Sequence, residues 1–113
     1  QAAANIIQKN LYKLSANYRQ NTVLLKKPVE QALQMLKHRK MKFDIVFIDP
    51  PYAAIKRYYE VFSLLDHFEI LSDSACVIVE HSKGLILPGQ LSGLNKLRSL
   101  KSGNSKLSLY SPL

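Results

Sequence analysis

The spacing of apolar residues switches between helical and extended patterns along the chain, and the switches predict an order of elements. Ala3, Ile6, Ile7, Leu11 and Leu14 recur every three or four residues with Lys9, Asn10 and Lys13 opposite them, which predicts an amphipathic helix over 1–15. Thr22 to Leu25 is short, apolar and partly β-branched, and predicts a strand. Pro28 has the φ that a first helical turn needs, and Val29, Ala32, Leu33 and Leu36 give the helix behind it an apolar stripe. Phe43-Asp44-Ile45-Val46-Phe47-Ile48 is a nearly continuous apolar run, the pattern of a strand covered on both faces in a parallel sheet.

Helical spacing returns in Ile55, Tyr58, Tyr59, Phe62, Leu65 and Phe68 and predicts a helix over 54–68. Leu71 to Ser74 reads as a connector, and Ala75 to Val79 as a second doubly covered strand that ends at Glu80 and His81. Gly84, Pro88, Gly89 and Gly93 then interrupt regular structure. Leu94 to Leu100 and Lys106 to Tyr110 flank Ser102-Gly103-Asn104-Ser105, which predicts a β-hairpin, while Leu94, Leu97 and Leu100 also fit a short helix. Alternating helices and strands imply an α/β fold, with flanking helices joined to the strands by right-handed crossovers and a C-terminal β-hairpin at the end of the sheet. Open sheets of this class bind ligands beyond the carboxyl ends of their strands, where Asp49 stands.

A length of 113 residues allows one domain with a modest core. The net charge of +8 is uneven along it. Lys9, Lys13, Arg19, Lys26 and Lys27 precede the first carboxylate, and Lys83, Lys96, Arg98, Lys101 and Lys106 follow the last, so both ends are purely basic. That distribution favours a polyanionic partner through counterion release and steering. The longest apolar runs are far too short to span a bilayer and no signal pattern opens the chain, so no membrane role is expected. The single cysteine, Cys76, cannot form an internal disulfide and reads as a small buried hydrophobe in a reducing, cytoplasmic setting. His38, His67 and His81 lack the spacing of metal ligands, and no metal site is assigned.

The candidate chemistry lies in Asp49-Pro50-Pro51-Tyr52. An exocyclic amine on a nucleobase is a poor nucleophile because its lone pair is delocalised into the ring. Two acceptors aimed at its hydrogens, the Asp49 carboxylate and the Pro50 carbonyl, favour a pyramidal nitrogen whose lone pair faces a methyl donor. The paired prolines restrict the backbone in advance, and the Tyr52 ring offers a surface on which an unpaired base stacks. Rate acceleration then comes from orientation and electrostatics with no covalent enzyme intermediate. Lys56, Arg57 and Lys83 are candidates to line an RNA path beside the motif, and Glu80 either orients the substrate or simply closes its strand. Two other readings use the same residues. A strand ending in aspartate also describes a P-loop nucleotidase fragment, although no G-x-x-x-x-G-K-[ST] loop is present. A non-catalytic RNA-binding or assembly module would use the basic ends and the tyrosines.

The tetrapeptide resembles motif IV of S-adenosylmethionine-dependent amino-methyltransferases: Asn, Asp or Ser, then Pro-Pro, then an aromatic residue. The wider chain is similar to ribosomal RNA guanine-N2 methyltransferases of the RsmD type. Gln1 to Leu14, with Ala3-Ala4-Asn5-Ile6-Ile7-Gln8-Lys9-Asn10-Leu11 inside it, looks like the helix after that family's second strand. Val29-Glu30-Gln31-Ala32-Leu33 resembles the helix before motif IV, Val77-Ile78-Val79-Glu80-His81 the next strand, and Gly103 through Tyr110 the last strand. The resemblance implies a partial Rossmann-like sheet, S-adenosylmethionine as methyl donor, and small-subunit ribosomal RNA or its ribonucleoprotein particle as partner. The substrate amine it implies is guanine N2, with adenine N6 of DNA or RNA as the alternative. It also implies that residues 1–113 form the C-terminal part of one methyltransferase domain, inactive in isolation, with the donor-binding first two strands outside it. Lys27 and Pro28 stand where relatives of that type carry an Asp-Ala pair near the donor adenine, and the resemblance makes them the candidate donor contact. Without those two strands, an apolar sheet face and two sheet edges would be open, so self-association of the fragment is expected.

Overall fold

The computed structural model describes residues 2–14, 22–50 and 54–112. They fall into two compact units, 1–32 and 33–113. In the first unit, helix α1 (Ala2–Leu14) buries Ala4, whereas Ile6, Ile7 and Leu14 of its expected apolar stripe are exposed. Lys26 Nζ donates to Gln8 Oε1 at 3.0 Å. Residues 22–25 are not a strand. A strand exists only through a ladder partner, and Val23 is 68% exposed, so apolar β-branched content alone did not decide the state. Helix α2 (Val29–His38) begins as expected behind Pro28, whose carbonyl accepts the Ala32 N–H at 3.0 Å.

The second unit is a sheet with helices against one face. Its strands are β1 (Phe43–Ile48), β2 (Leu71–Ser82), β3 (Gln90–Leu91), β4 (Leu94–Ser102) and β5 (Ser105–Ser111), and helix α3 (Ile55–Phe68) lies between β1 and β2 in sequence. The spatial order is β1-β2-β5-β4-β3. β1 and β2 are parallel, as a strand-helix-strand crossover requires, and the remaining pairs are antiparallel. The segment expected to be a connector, Leu71 to Ser74, is the first part of β2. It is recruited by β1: Phe43 pairs with Leu71, and Ser72 Oγ donates to Asp44 Oδ1 at 2.7 Å.

Alternation along the strands decides what is buried. Val46 and Ile48 of β1, Val77 and Val79 of β2 and Tyr110 of β5 share one face, and Tyr58, Val61, Phe62, Leu65 and Phe68 of α3 pack onto it with Leu33 of α2 and Leu87. The opposite face carries Ile45, Cys76, Phe47, Ile78 and Leu109. Ile45 and Phe47 remain 68% and 57% exposed, so β1, expected to be covered on both faces, is covered on one, and Cys76 is half-buried. The apolar run reports what the strand can bury, not what this stretch of chain supplies to cover it.

Two tight turns shape the antiparallel half. Gly103 at φ +60° fills the first position of the two-residue β4–β5 loop, the place where a II′ hairpin needs glycine. Ser92 and Gly93, both at positive φ, join β3 to β4 in a tight turn, where the glycines and Pro88 predict only interrupted structure. The loop after β2 is tied to the sheet by Lys96 Nζ, which donates to Leu87 O at 2.6 Å, and by Tyr110, whose hydroxyl donates to Pro88 O at 2.6 Å.

Burial, with a smaller contribution from Tyr59, pushes the Tyr110 hydroxyl from 10.0 up to about 12. The folded value lies above the unfolded one, so stability is intact below pH 10 and is lost as pH rises through 12. A drop of about 2–3 kcal/mol across that window is expected. Denaturant titrations at a series of pH values check it: Tyr110→Phe should flatten most of the alkaline fall, at a cost near pH 7 of about 1 kcal/mol from the unpaired Pro88 carbonyl.

Candidate functional site

β1 is a short strand between a glutamate-anchored turn and a proline pair. Lys42 Nζ donates to the Glu69 carbonyl at its start, and Pro50 ends its ladder because proline carries no N–H. Ile48 pairs with Val79, so the next residue, Asp49, emerges level with Glu80 at the carboxyl edge of the parallel pair. Asp49 is exposed and Pro50 half-buried; Pro51 and Tyr52 lie outside the described residues.

The chain returns to this corner through α3. Tyr58, on the helix's first turns and 3% exposed, donates its hydroxyl to the Glu80 carbonyl at 3.1 Å, and its ring meets the His81 imidazole edge-on at 6.3 Å. Burial raises the Tyr58 hydroxyl above 10.0, and the negative charges of Asp49 and then Glu80 add to the shift. Tyr58 is therefore a neutral donor at any physiological pH, and the two carboxylates share its surroundings. His81 continues the polar chain inward. Its Nδ1 lies 3.0 Å from Ser82 O, which only accepts, so Nδ1 carries a proton. In the neutral ring Nε2 then accepts from the Ser108 hydroxyl at 2.7 Å, and Ser108 accepts from Ser99 at 3.3 Å. Among the described residues no buried side-chain polar atom lacks a partner.

Of the residues named from sequence, Asp49, Pro50 and Glu80 meet at one edge, and Lys56 and Arg57 sit exposed on the first turn of the helix that Tyr58 anchors there. Arg57 is engaged by Glu60 at 3.3 Å. Lys83 is exposed in the turn closed by Leu85 N–H and Ser82 O at 3.2 Å. Lys27 and Pro28 belong to the first unit. The sequence reading missed Tyr58 as a tether and the His81–Ser108–Ser99 chain. Tyr58 looked like one more stripe residue, and the serines gain meaning only from the β2–β5 register. A shallow depression of about 270 Å³ lined by Lys42, Asp66, Glu69 and Asp73 lies at the amino end of β2, away from the edge where parallel strands present ligand sites.

With this geometry in place, comparison with known proteins decides the family. The family model described as conserved hypothetical protein 95 matches residues 1–111. The chain belongs to that family, the RsmD family. A conserved hypothetical protein of Streptococcus pyogenes superposes with a TM-score of 0.79 at 31% identity, covering 97% of this chain and 65% of that one. The Escherichia coli protein named "Putative methyltransferase yhhF" gives a TM-score of 0.72 at 26% identity, covering 97% and 58%. A Bacillus subtilis protein named "Putative rRNA methyltransferase YlbH" is 26% identical over 81 residues, 72% of this chain and 44% of that protein. The chain thus spans under half the length of that curated relative. The RsmD-type resemblance read from motif IV and its flanking segments agrees with the family, and the mixed α/β sheet matches its methyltransferase-like neighbours. No helix among the described residues is long and apolar enough to cross a membrane.

Proposed function

We propose that the protein, in its full natural length, transfers a methyl group from S-adenosylmethionine to an exocyclic amine of RNA, at guanine N2 of small-subunit ribosomal RNA, in a cytoplasmic setting. The observation that carries this reading is the delivery of Asp49-Pro50 by β1 to the carboxyl edge of the parallel pair, next to Glu80 and the Tyr58 tether. The name of the Bacillus subtilis relative supports ribosomal RNA as the substrate class.

The described residues contain no glycine cluster that could cradle the donor. Gly93 and Gly103 are spent on hairpin turns, and Gly84 and Gly89 lie in the loop after β2. Donor binding is accordingly assigned to chain beyond these residues, with Lys27-Pro28 as its local contact. S-adenosylmethionine supplies a methyl carbon on a cationic sulfur that departs as a neutral thioether. The residues present act on the acceptor. Asp49 and the Pro50 carbonyl accept the two amine hydrogens and direct the nitrogen lone pair outward. Asp49 also stabilises the positive charge that develops on nitrogen before one N–H proton passes to solvent water at this exposed edge. Tyr52 stacks the target base, and Tyr58 and Glu80 hold the strand ends between which the amine sits.

Incubation of the full-length protein with labelled donor and unmodified small-subunit RNA, naked or assembled into particles, tests the proposal. Label recovered as N2-methylguanine is expected. Label recovered on adenine N6 would reassign the amine, and RNA binding without label would leave an assembly module in place of an enzyme.

A further inference from the structure

The β2–β5–β4 register places two lysines side by side, next to the buried His81, on one face of the sheet at its carboxyl edge. His81 pairs with Lys106, and Lys106 pairs with Lys101 across the next ladder. Direct partners share a face, with Cβ atoms about 5 Å apart, so the two lysines stand side by side. Such a pair costs stability unless an anion sits between its members. The sequence supplies none locally, since no carboxylate follows Glu80 and the register puts Glu80 on the other face, opposite Leu107. The neighbouring cations are already accounted for: Lys96 is bound to Leu87 O and Arg98 faces the other side, opposite Leu109.

The row runs along the same carboxyl edge of the sheet as the proposed acceptor site, displaced from it by one residue on each strand and on the face opposite Glu80. Asp49 is level with Glu80, Glu80 with Leu107 and Leu107 with Leu100, one residue short of the row on each strand. At about 4.8 Å between strands, Lys106 and Lys101 lie roughly 10 and 15 Å from Asp49 along the edge. A stacked strand rises about 3.4 Å per nucleotide, so the span corresponds to about three to four nucleotides. Lys83 follows the end of β2, and Lys56 adjoins the Tyr58 tether on the same side of the sheet.

We infer that Lys101 and Lys106 form a phosphate clamp that holds the substrate RNA backbone a few nucleotides from the target base. The clamp sets affinity and register while Asp49 does chemistry, and it rests on the proposed RNA substrate. Its test is binding of the full-length protein to unmodified small-subunit RNA transcript at several salt concentrations. Lys101→Gln/Lys106→Gln should weaken binding roughly tenfold near 0.1 M salt and reduce the log–log salt slope by about 1.4, the share of two contacts to a single strand. KM for RNA should rise with kcat at saturating RNA unchanged. A Lys37→Gln control at the opposite, amino end of β2, where that lysine pairs with Glu69, should leave the slope nearly as it was.

Relief of the like-charge pair gives a second, opposite signature: Lys101→Thr should raise Tm by about 1–2 °C while binding falls. An unchanged slope in the clamp variant, or an equal change in the control, overturns the inference. If the slope falls as expected but no variant, nor the wild type, labels RNA, the clamp stands and the methyl-transfer reading fails. Labelling with an unchanged slope sinks the clamp alone.

Discussion

Replacing Asp49 by alanine should lower kcat for RNA methylation by about 10²- to 10³-fold, the usual cost of removing one preorganised partner for developing charge. KM for RNA should change little, because Asp49 is assigned to the amine and not to the backbone contacts that supply affinity. Asp49→Asn keeps a carbonyl acceptor but loses the negative charge, so about a tenfold loss is expected, between wild type and alanine. Neither variant should shift Tm by more than about 1–2 °C, because Asp49 is exposed at the end of β1. Single-turnover labelling with saturating RNA, alongside thermal melts, reads both quantities. Equal labelling by wild type and alanine variant would remove Asp49 from the mechanism, whatever the family.

The place of Asp49 in the fold was open to sequence reading because strand and motif are continuous. An apolar run that stops at Asp-Pro-Pro states where the strand ends and which residue leaves the sheet, and β1 does end at Ile48. The α3 stripe was equally legible, since Tyr58, Phe62 and Leu65 are all buried as helical spacing requires. The glycine at Gly103 announced the β4–β5 turn. Features that depend on a partner elsewhere in the chain were not legible. Leu71–Ser74 has too many polar residues to read as a strand, and becomes one because β1 offers it a ladder. Thr22–Leu25 has strand-like composition and no ladder. The Lys101–Lys106 pair, separated by the hairpin loop, acquires its neighbourhood only through register.

The proposed acceptor corner combines an exposed carboxylate with a buried frame. Tyr58, His81, Ser108 and Ser99 form a connected set from the first turns of α3 across β2 and β5 to β4, and each internal polar atom in it is satisfied. Such a frame fixes the start of α3 beside the carboxyl ends of β1 and β2. Asp49 follows directly on the paired end of β1, and the ring of Pro50 restricts the backbone behind it. A carboxylate held close to a fixed strand end is the condition for orientation to contribute to rate.

That frame depends on the core beneath it, and Phe62 is the core's pivot. It is 0% exposed and meets the Tyr110 ring edge-on at 4.9 Å, joining α3 to the strand whose register aligns Ser108 with β2. Phe62→Ala removes a fully buried ring between elements that cannot collapse into the space, because the sheet is fixed by its ladders. A loss of about 3–5 kcal/mol is expected. That is a large part of the 5–15 kcal/mol typical of a folded domain, so the variant should unfold at much lower denaturant or fail to fold at all. Phe62→Leu retains most of the volume and should cost only about 1–2 kcal/mol, keeping the protein folded. The leucine variant then separates packing from chemistry: methyl transfer should persist with a lower temperature ceiling. If urea midpoints for alanine, leucine and phenylalanine at this position coincide, α3 is not held on the sheet through Phe62, and the core does not position Asp49.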